Sequence, residues 1–216
     1  MEATAITEPP RNQIGQTMGN KGMRTRRKLI DATTALLNEK GLRDLRVADV
    51  ARAAGMSTAS FYVYFETVQD VVLAAAAELS QSTDEILDLL DLDWNASNAL
   101  DYARRFVHSY VDFWQEHRAI FRVRNLASEE DDVRFTKIRM DSVRSLILKL
   151  SDLIERNRGD QTATAKPHAM AGALIAMIER VSAVHNSYAS QSGISRDDLT
   201  EATATIFASS IVPANR

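Results

Sequence analysis

The chain has 216 residues and a formal charge of −3 at pH 7, from 26 Lys and Arg against 29 Asp and Glu. Its 45% apolar and 25% charged composition is that of a soluble globular protein able to bury a core without cross-links. The absence of cysteine excludes a disulfide framework, a thiolate nucleophile and a Cys-ligated metal.

Residues 1–22 contain Pro9, Pro10 and several Asn, Gln and Gly, and are expected to form a disordered tail. They have no apolar core of a secretory signal, and the longest uncharged apolar stretch, Ala169–Ile178, is too short to span a bilayer. A cytoplasmic protein is therefore expected. Leu29, Ala32, Leu36 and Leu37 recur at helical spacing, which predicts a first helix over 24–40 with Gly41 as its C-cap. Val47, Val50 and Ala51 open a short second helix that ends near Gly55. Ser57 offers an N-cap hydroxyl to a third, over 58–64, and Thr67 to a fourth. In that fourth helix Val68, Val71, Val72, Ala75 and Leu79 form an apolar stripe, which continues through Ile86, Leu89 and Leu90 as one long element over 67–90.

Asp91–Ser97 interrupts the pattern. Residues 98–117 resume it, with Tyr102, Phe106, Tyr110, Phe113 and Trp114 on one face. Helices over 119–127 and 133–157 follow, the latter favoured at its start by the acids of Glu129–Asp132. Asn157–Lys166 reads as a polar linker and Pro167 as a helix start. Helix 167–190 ends before Gly193, and Ser195 or Asp197 opens a last helix reaching Ile211. No alternating strand pattern and no repeat is found. The predicted class is all-α: a three-helix head followed by a helical-bundle body.

Charge divides the chain unevenly. Up to Phe65 ten basic residues face six acidic ones, and the remainder carries sixteen against twenty-three. A basic head on an acidic body fits a module that binds a polyanion, joined to one that does not. Within the head, Ala54-Gly55-Met56-Ser57 makes a tight corner between two short helices. Val47, Val50, Ala51, Phe61 and Phe65 can share a core with Leu36 and Leu37, which leaves Thr58, Ala59, Ser60, Tyr62, Val63 and Tyr64 outward. Such a surface suits a major-groove reader.

Gly41, Val47, Asp49, Ala51, Ala54-Gly55, Ser57, Phe61-Tyr62, Tyr64-Phe65 and Asp70, within residues 24–73, resemble the DNA-binding head of TetR-family transcriptional regulators. The resemblance implies an all-helical homodimer whose third helix enters the major groove of a double-stranded operator. It also implies a body that binds a small molecule to lower operator affinity. On this reading 23–66 is the helix–turn–helix domain and 67–216 the effector-binding and dimerisation domain. Two positions depart from the family. Arg46 stands where Ser or Thr commonly caps the second helix, though a guanidinium can reach a phosphate. Val68 replaces a frequent phosphate-binding Lys.

The expected DNA contacts are Arg24, Arg26 and Arg27, together with Arg46, Ser57, Thr58 and Tyr62 on phosphate and Ala59, Ser60 and Tyr64 approaching base edges. The expected effector pocket draws on Phe106, Tyr110, Phe113, Trp114, Phe121, Met177 and His185, with His108, His117, Arg122 and Asn125 as polar groups beside the aromatics. Small residues on the last two helices, Ala173 and Ala176 with Ile206 and Phe207, suit a four-helix dimer interface. No nucleophile elbow, P-loop, dinucleotide turn or paired-histidine metal motif occurs, so neither an enzyme nor a cofactor is expected. The alternative is a DNA-binding protein of the same fold without effector response.

Overall fold

The computed structural model describes residue 13, residues 15–158 and residues 165–213, with backbone alone over 185–192. Most of the tail expected at 1–22 and the centre of the 157–166 linker lie outside the described residues. No strand occurs among the described residues. The chain divides into two units, Met1–Ala76 and Ala77–Arg216.

The first unit holds α1 (Asn20–Glu39), a 3-10 turn (Leu42–Asp44), α2 (Val47–Ala53), α3 (Thr58–Tyr62) and most of α4 (Val68–Leu79). Its core is Leu29, Ile30, Leu37, Val50, Ala51, Phe61, Phe65, Val71 and Val72, all buried, as the apolar spacing predicts. Two local expectations are corrected. Gly41 is not a left-handed C-cap: α1 closes at Glu39, the Lys40 amide donates to Leu36 O at 2.8 Å, and Gly41 has an ordinary φ of −71°. α3 stops at Tyr62, because Tyr64 and Phe65 both direct their amides back to Phe61 O in a closing turn. The Thr67 cap forms as predicted and is reciprocal. Asp70 N donates to Thr67 Oγ1 at 3.1 Å, while Thr67 N and Oγ1 donate to Asp70 Oδ2 at 2.9 and 2.8 Å.

The second unit holds α5 (Asp84–Asp88), α6 (Ala99–Glu116), α7 (Arg118–Glu129), α8 (Val133–Arg158), α9 (Pro167–Ser192) and α10 (Arg196–Ile211). The single element expected over 67–90 is two helices. Ser80-Gln81-Ser82-Thr83 supplies polar side chains that compete with the backbone ladder, and Ser82 Oγ donates back to Glu78 O at 3.3 Å. Thr83 O then accepts from Ile86 and Leu87 to start α5. The irregular stretch after α5 is pinned by Trp94 Nε1 donating to Leu89 O at 2.9 Å. α10 lies along α6 and α9 along α8. The core between them contains Phe106, Leu150, Ile178, Phe207 and Ile211, each fully buried. Ser195 Oγ accepts from Asp198 N at 3.0 Å, and Gly193 at φ +71° ends α9.

Candidate nucleic-acid interface and ligand cavity

The corner between α2 and α3 is set by two residues. Gly55 adopts φ +70°, open to glycine at little cost, and a Cβ there would touch nothing within 4 Å. Gly55→Ala is therefore expected to cost about 1–2 kcal/mol through backbone conformation alone, read as a lower denaturation midpoint with an unchanged slope. Ser57 caps α3: its Oγ accepts from Ser60 N at 3.2 Å and lies 3.0 Å from Ser60 Oγ. Both hydroxyls are thus turned toward each other, and the exposed side chains of α3 are Thr58, Ala59 and Tyr62. Tyr62 packs edge-on against the buried Phe61 at 5.7 Å, which fixes the ring while leaving it about half exposed.

Tyr64 sits past the end of α3, half-buried, at a point where a Cβ added to Gly22 would lie 4.0 Å from its Cε1. The basic residues differ in their engagement. Arg24 is exposed, Arg26 stacks over Phe65 at 5.3 Å, and Arg27 Nε donates to Asp31 Oδ1 at 2.8 Å. Arg46 is exposed at the N-cap of α2. Its side chain accepts nothing, as an arginine must, and the cap comes from backbone: Arg46 N donates to Asp49 Oδ2 at 3.4 Å and Asp49 N to Arg46 O at 3.0 Å.

Within the second unit a cavity of about 20 Å³ is lined by Tyr110, Phe113 and Trp114 of α6, Phe121 and Arg124 of α7, and Ser142, Val143 and Leu146 of α8. Leu79, Ser80 and Thr83, around the end of α4, close one side. That volume suits a water molecule. Trp114 is only 2% exposed, and its indole N–H has no hydrogen-bond partner among the described residues. Phe106 is one layer deeper, 6.3 Å from Tyr110 and 5.4 Å from Phe207, and does not line the cavity. Met177 is half-buried against the core, also off the cavity wall. The His185 side chain lies outside the described residues.

A charged cluster borders the cavity. Arg124, 4% exposed, spreads its guanidinium over three acceptors: Glu179 Oε1 at 3.0 Å, Ser142 Oγ at 3.1 Å and Asn125 Oδ1 at 3.0 Å. Its Cζ lies 4.6 Å over the Phe121 ring. Arg139 donates to the other Glu179 oxygen, Oε2, at 2.9 Å. One carboxylate thus serves two guanidinium groups, with opposite results. Burial lowers the Arg124 pKa despite Glu179, whereas the half-buried Arg139 is raised, chiefly by its hydrogen bond to Glu179. Burial also pushes the Tyr110 hydroxyl up, and Glu179 adds to it, so the phenol stays neutral. Of the polar groups the sequence sets beside the aromatics, Asn125 joins this cluster as an acceptor from Arg124, whereas His108 and Arg122 are exposed. Arg124 carried a usable signal, since it falls at i+3 and i+4 from the buried Phe121 and Ile120 on the apolar stripe of α7.

Of the residues expected at a dimer interface, Ala173, Ala176 and Ile206 are exposed on the single chain. Phe207 is fully buried against Phe106 and belongs to the chain's own core, because α10 turns that face toward α6. Among the described residues, no helix is long and apolar enough to cross a membrane and no cluster of potential metal ligands occurs.

A helix–turn–helix with an exposed third helix, followed by an all-helical body, defines a DNA-binding transcription regulator. Residues 29–75 match the family model for bacterial regulatory proteins of the tetR family, and residues 86–212, more than half the chain, match the tetracyclin repressor-like C-terminal domain. The chain belongs to the TetR family of transcriptional regulators, proteins that act on DNA and not as enzymes. It is 26% identical over 147 residues to the HTH-type transcriptional regulator EthR of Mycobacterium tuberculosis, covering 67% of this chain and 68% of that protein. In fold it is similar to the fatty acid degradation regulator FadR of Bacillus halodurans, with a TM-score of 0.66, 16% identity, and 93% of this chain and 100% of that one covered. Bacillus subtilis FadR in complex with stearoyl-CoA gives a TM-score of 0.64 at 13% identity, over 88% and 99% of the two chains.

Proposed function

We propose that this regulator is a repressor that binds a palindromic operator as a homodimer and releases it when a small apolar or amphipathic effector enters the aromatic cavity. The observation that carries the effector reading is Trp114 on the wall of that cavity, whose buried N–H has no partner among the described residues. An unsatisfied buried donor costs about 1–3 kcal/mol, and a ligand acceptor removes that cost. A cavity this small admits an effector only by moving its walls, and those walls include Leu79, the last residue of α4. α4 begins at Val68, in the DNA-binding unit, so displacement of its far end is the route to the head. A preference of about 1–3 kcal/mol for the displaced state would lower operator affinity roughly 5–150-fold. The stearoyl-CoA held by the B. subtilis neighbour is an amphipathic ligand, the chemistry this reading favours. The place of action is the cytoplasm, where the operator is.

A thermal-shift screen tests the effector reading, since a ligand at about 100 times its Kd adds roughly 2.7 kcal/mol of stability. Trp114→Ala is expected to retain operator binding while losing or shifting the response to any hit. A variant that stays folded but loses operator binding, or that responds normally, overturns this route. On the DNA side, Thr58 and Tyr62 are read as backbone contacts. Tyr62→Phe is then expected to weaken all operators alike, and a changed consensus in a binding-site selection would refute it.

A further inference from the structure

We infer that the effector's recognised end is an anion, a carboxylate on an apolar body, drawn by the excess positive charge of the Arg124–Glu179–Arg139 cluster. This rests on the effector reading above. The cavity wall is apolar on most sides, with Tyr110, Phe113, Trp114, Phe121, Val143 and Leu146, and its charged member is Arg124. Glu179 has already given one oxygen to each arginine, so the cluster holds two positive charges against one negative. The charged groups that act on Tyr110 are these same three. Glu129, exposed at the end of α7, is a further acid within reach of Arg139, but solvent screens it.

Hydrogen-bond supply points the same way. A guanidinium has five N–H groups, and Asn125, Ser142 and Glu179 take three of those on Arg124. The remaining two, together with the Trp114 N–H, are donors with no acid left among the described residues to serve them. A site rich in buried donors and short of acceptors rejects an amine, gains little from an alcohol and favours an oxyanion through charge-assisted bonds. A neutral ligand would leave the excess charge without a counterion.

The test uses the full chain and two matched pairs of probes: dodecanoate with dodecanol, and 2-naphthoate with 2-naphthol, each below its aggregation threshold. Affinity is read by thermal shift and by calorimetry. In at least one pair the carboxylate is expected to bind about tenfold or more tightly than the alcohol. Arg139→Gln, which leaves the Arg124–Glu179 pair intact, is expected to bring the two within about threefold while the alcohol's own affinity stays unchanged. Arg124→Gln, which leaves Glu179 paired with Arg139, is expected to do the same. Equal binding of acid and alcohol to the wild type overturns the anion inference but leaves the effector cavity standing. A preference that survives in both variants also overturns it, by locating the charge recognition elsewhere. Binding of none of the four probes overturns the effector cavity as well.

Discussion

Glu179→Gln is expected to be the most destabilising conservative substitution in the second unit, lowering stability by about 3–5 kcal/mol. The carboxylate is 5% exposed and is the shared partner of Arg124 and Arg139. Its removal leaves the Arg124 guanidinium, 4% exposed, among Phe121, Ser142 and Asn125 with no countercharge. Arg139 is less affected, because about a third of its side chain reaches water. Charge drives this expectation, since glutamine keeps the shape and one acceptor oxygen. Chemical denaturation of the variant checks the magnitude. The double variant Arg124→Met with Glu179→Leu is expected to recover most of the loss, because replacing a buried ion pair by packed apolar groups is often neutral or stabilising. A loss below about 1 kcal/mol for Glu179→Gln would place the pair among weak surface bridges and contradict its burial.

The second large effect concerns assembly. Ala173→Arg or Ala176→Arg is expected to convert the regulator to monomers and cut specific operator affinity by about 10³-fold or more, toward its non-specific level. On the proposed reading one head occupies one half-site, and half-sites about one helical turn apart need two heads held together. Ala173 and Ala176 are exposed on α9 in the single chain, so arginine there has access to solvent and the fold is expected to hold. Sedimentation velocity reads the oligomer, and binding to one-half and full sites reads the consequence. If both variants remain dimers, pairing runs through another surface. Val133 and Met140 on α8, 77% and 56% exposed, would then be the next faces to disrupt.

Much of the head is legible in the sequence because its signals are local. Gly55, Ser57 and the Thr67–Asp70 cap each act within a few residues, and each takes the conformation its chemistry implies. The errors there have the same scale. Gly41 reads as a cap by composition, but the following 3-10 turn lets the chain leave α1 in ordinary backbone space. The unbroken apolar stripe from Val68 to Leu90 suggests one helix, yet Ser82 bonding back to Glu78 ends it at Leu79.

In the body, periodicity alone determined that helices run over 98–117, 133–157 and 167–190 and that Phe106, Tyr110 and Trp114 share a face. It left open which of those aromatics are core and which are wall, because a helical face does not say which helix covers it. Tertiary packing decided that. α10 covers Phe106 with Phe207, which takes both out of reach, whereas Tyr110 and Trp114 border the cavity beside α7 and α8. The same holds for charge. The apolar stripe of α7 puts Arg124 rather than Arg122 on its inner face, but only the packing of the helices sets that guanidinium beside Glu179. Local chemistry depends on near neighbours in the chain and is written in the sequence. A buried ion cluster joins Arg124 to a residue 55 positions away, and that partnership exists only once the helices have packed.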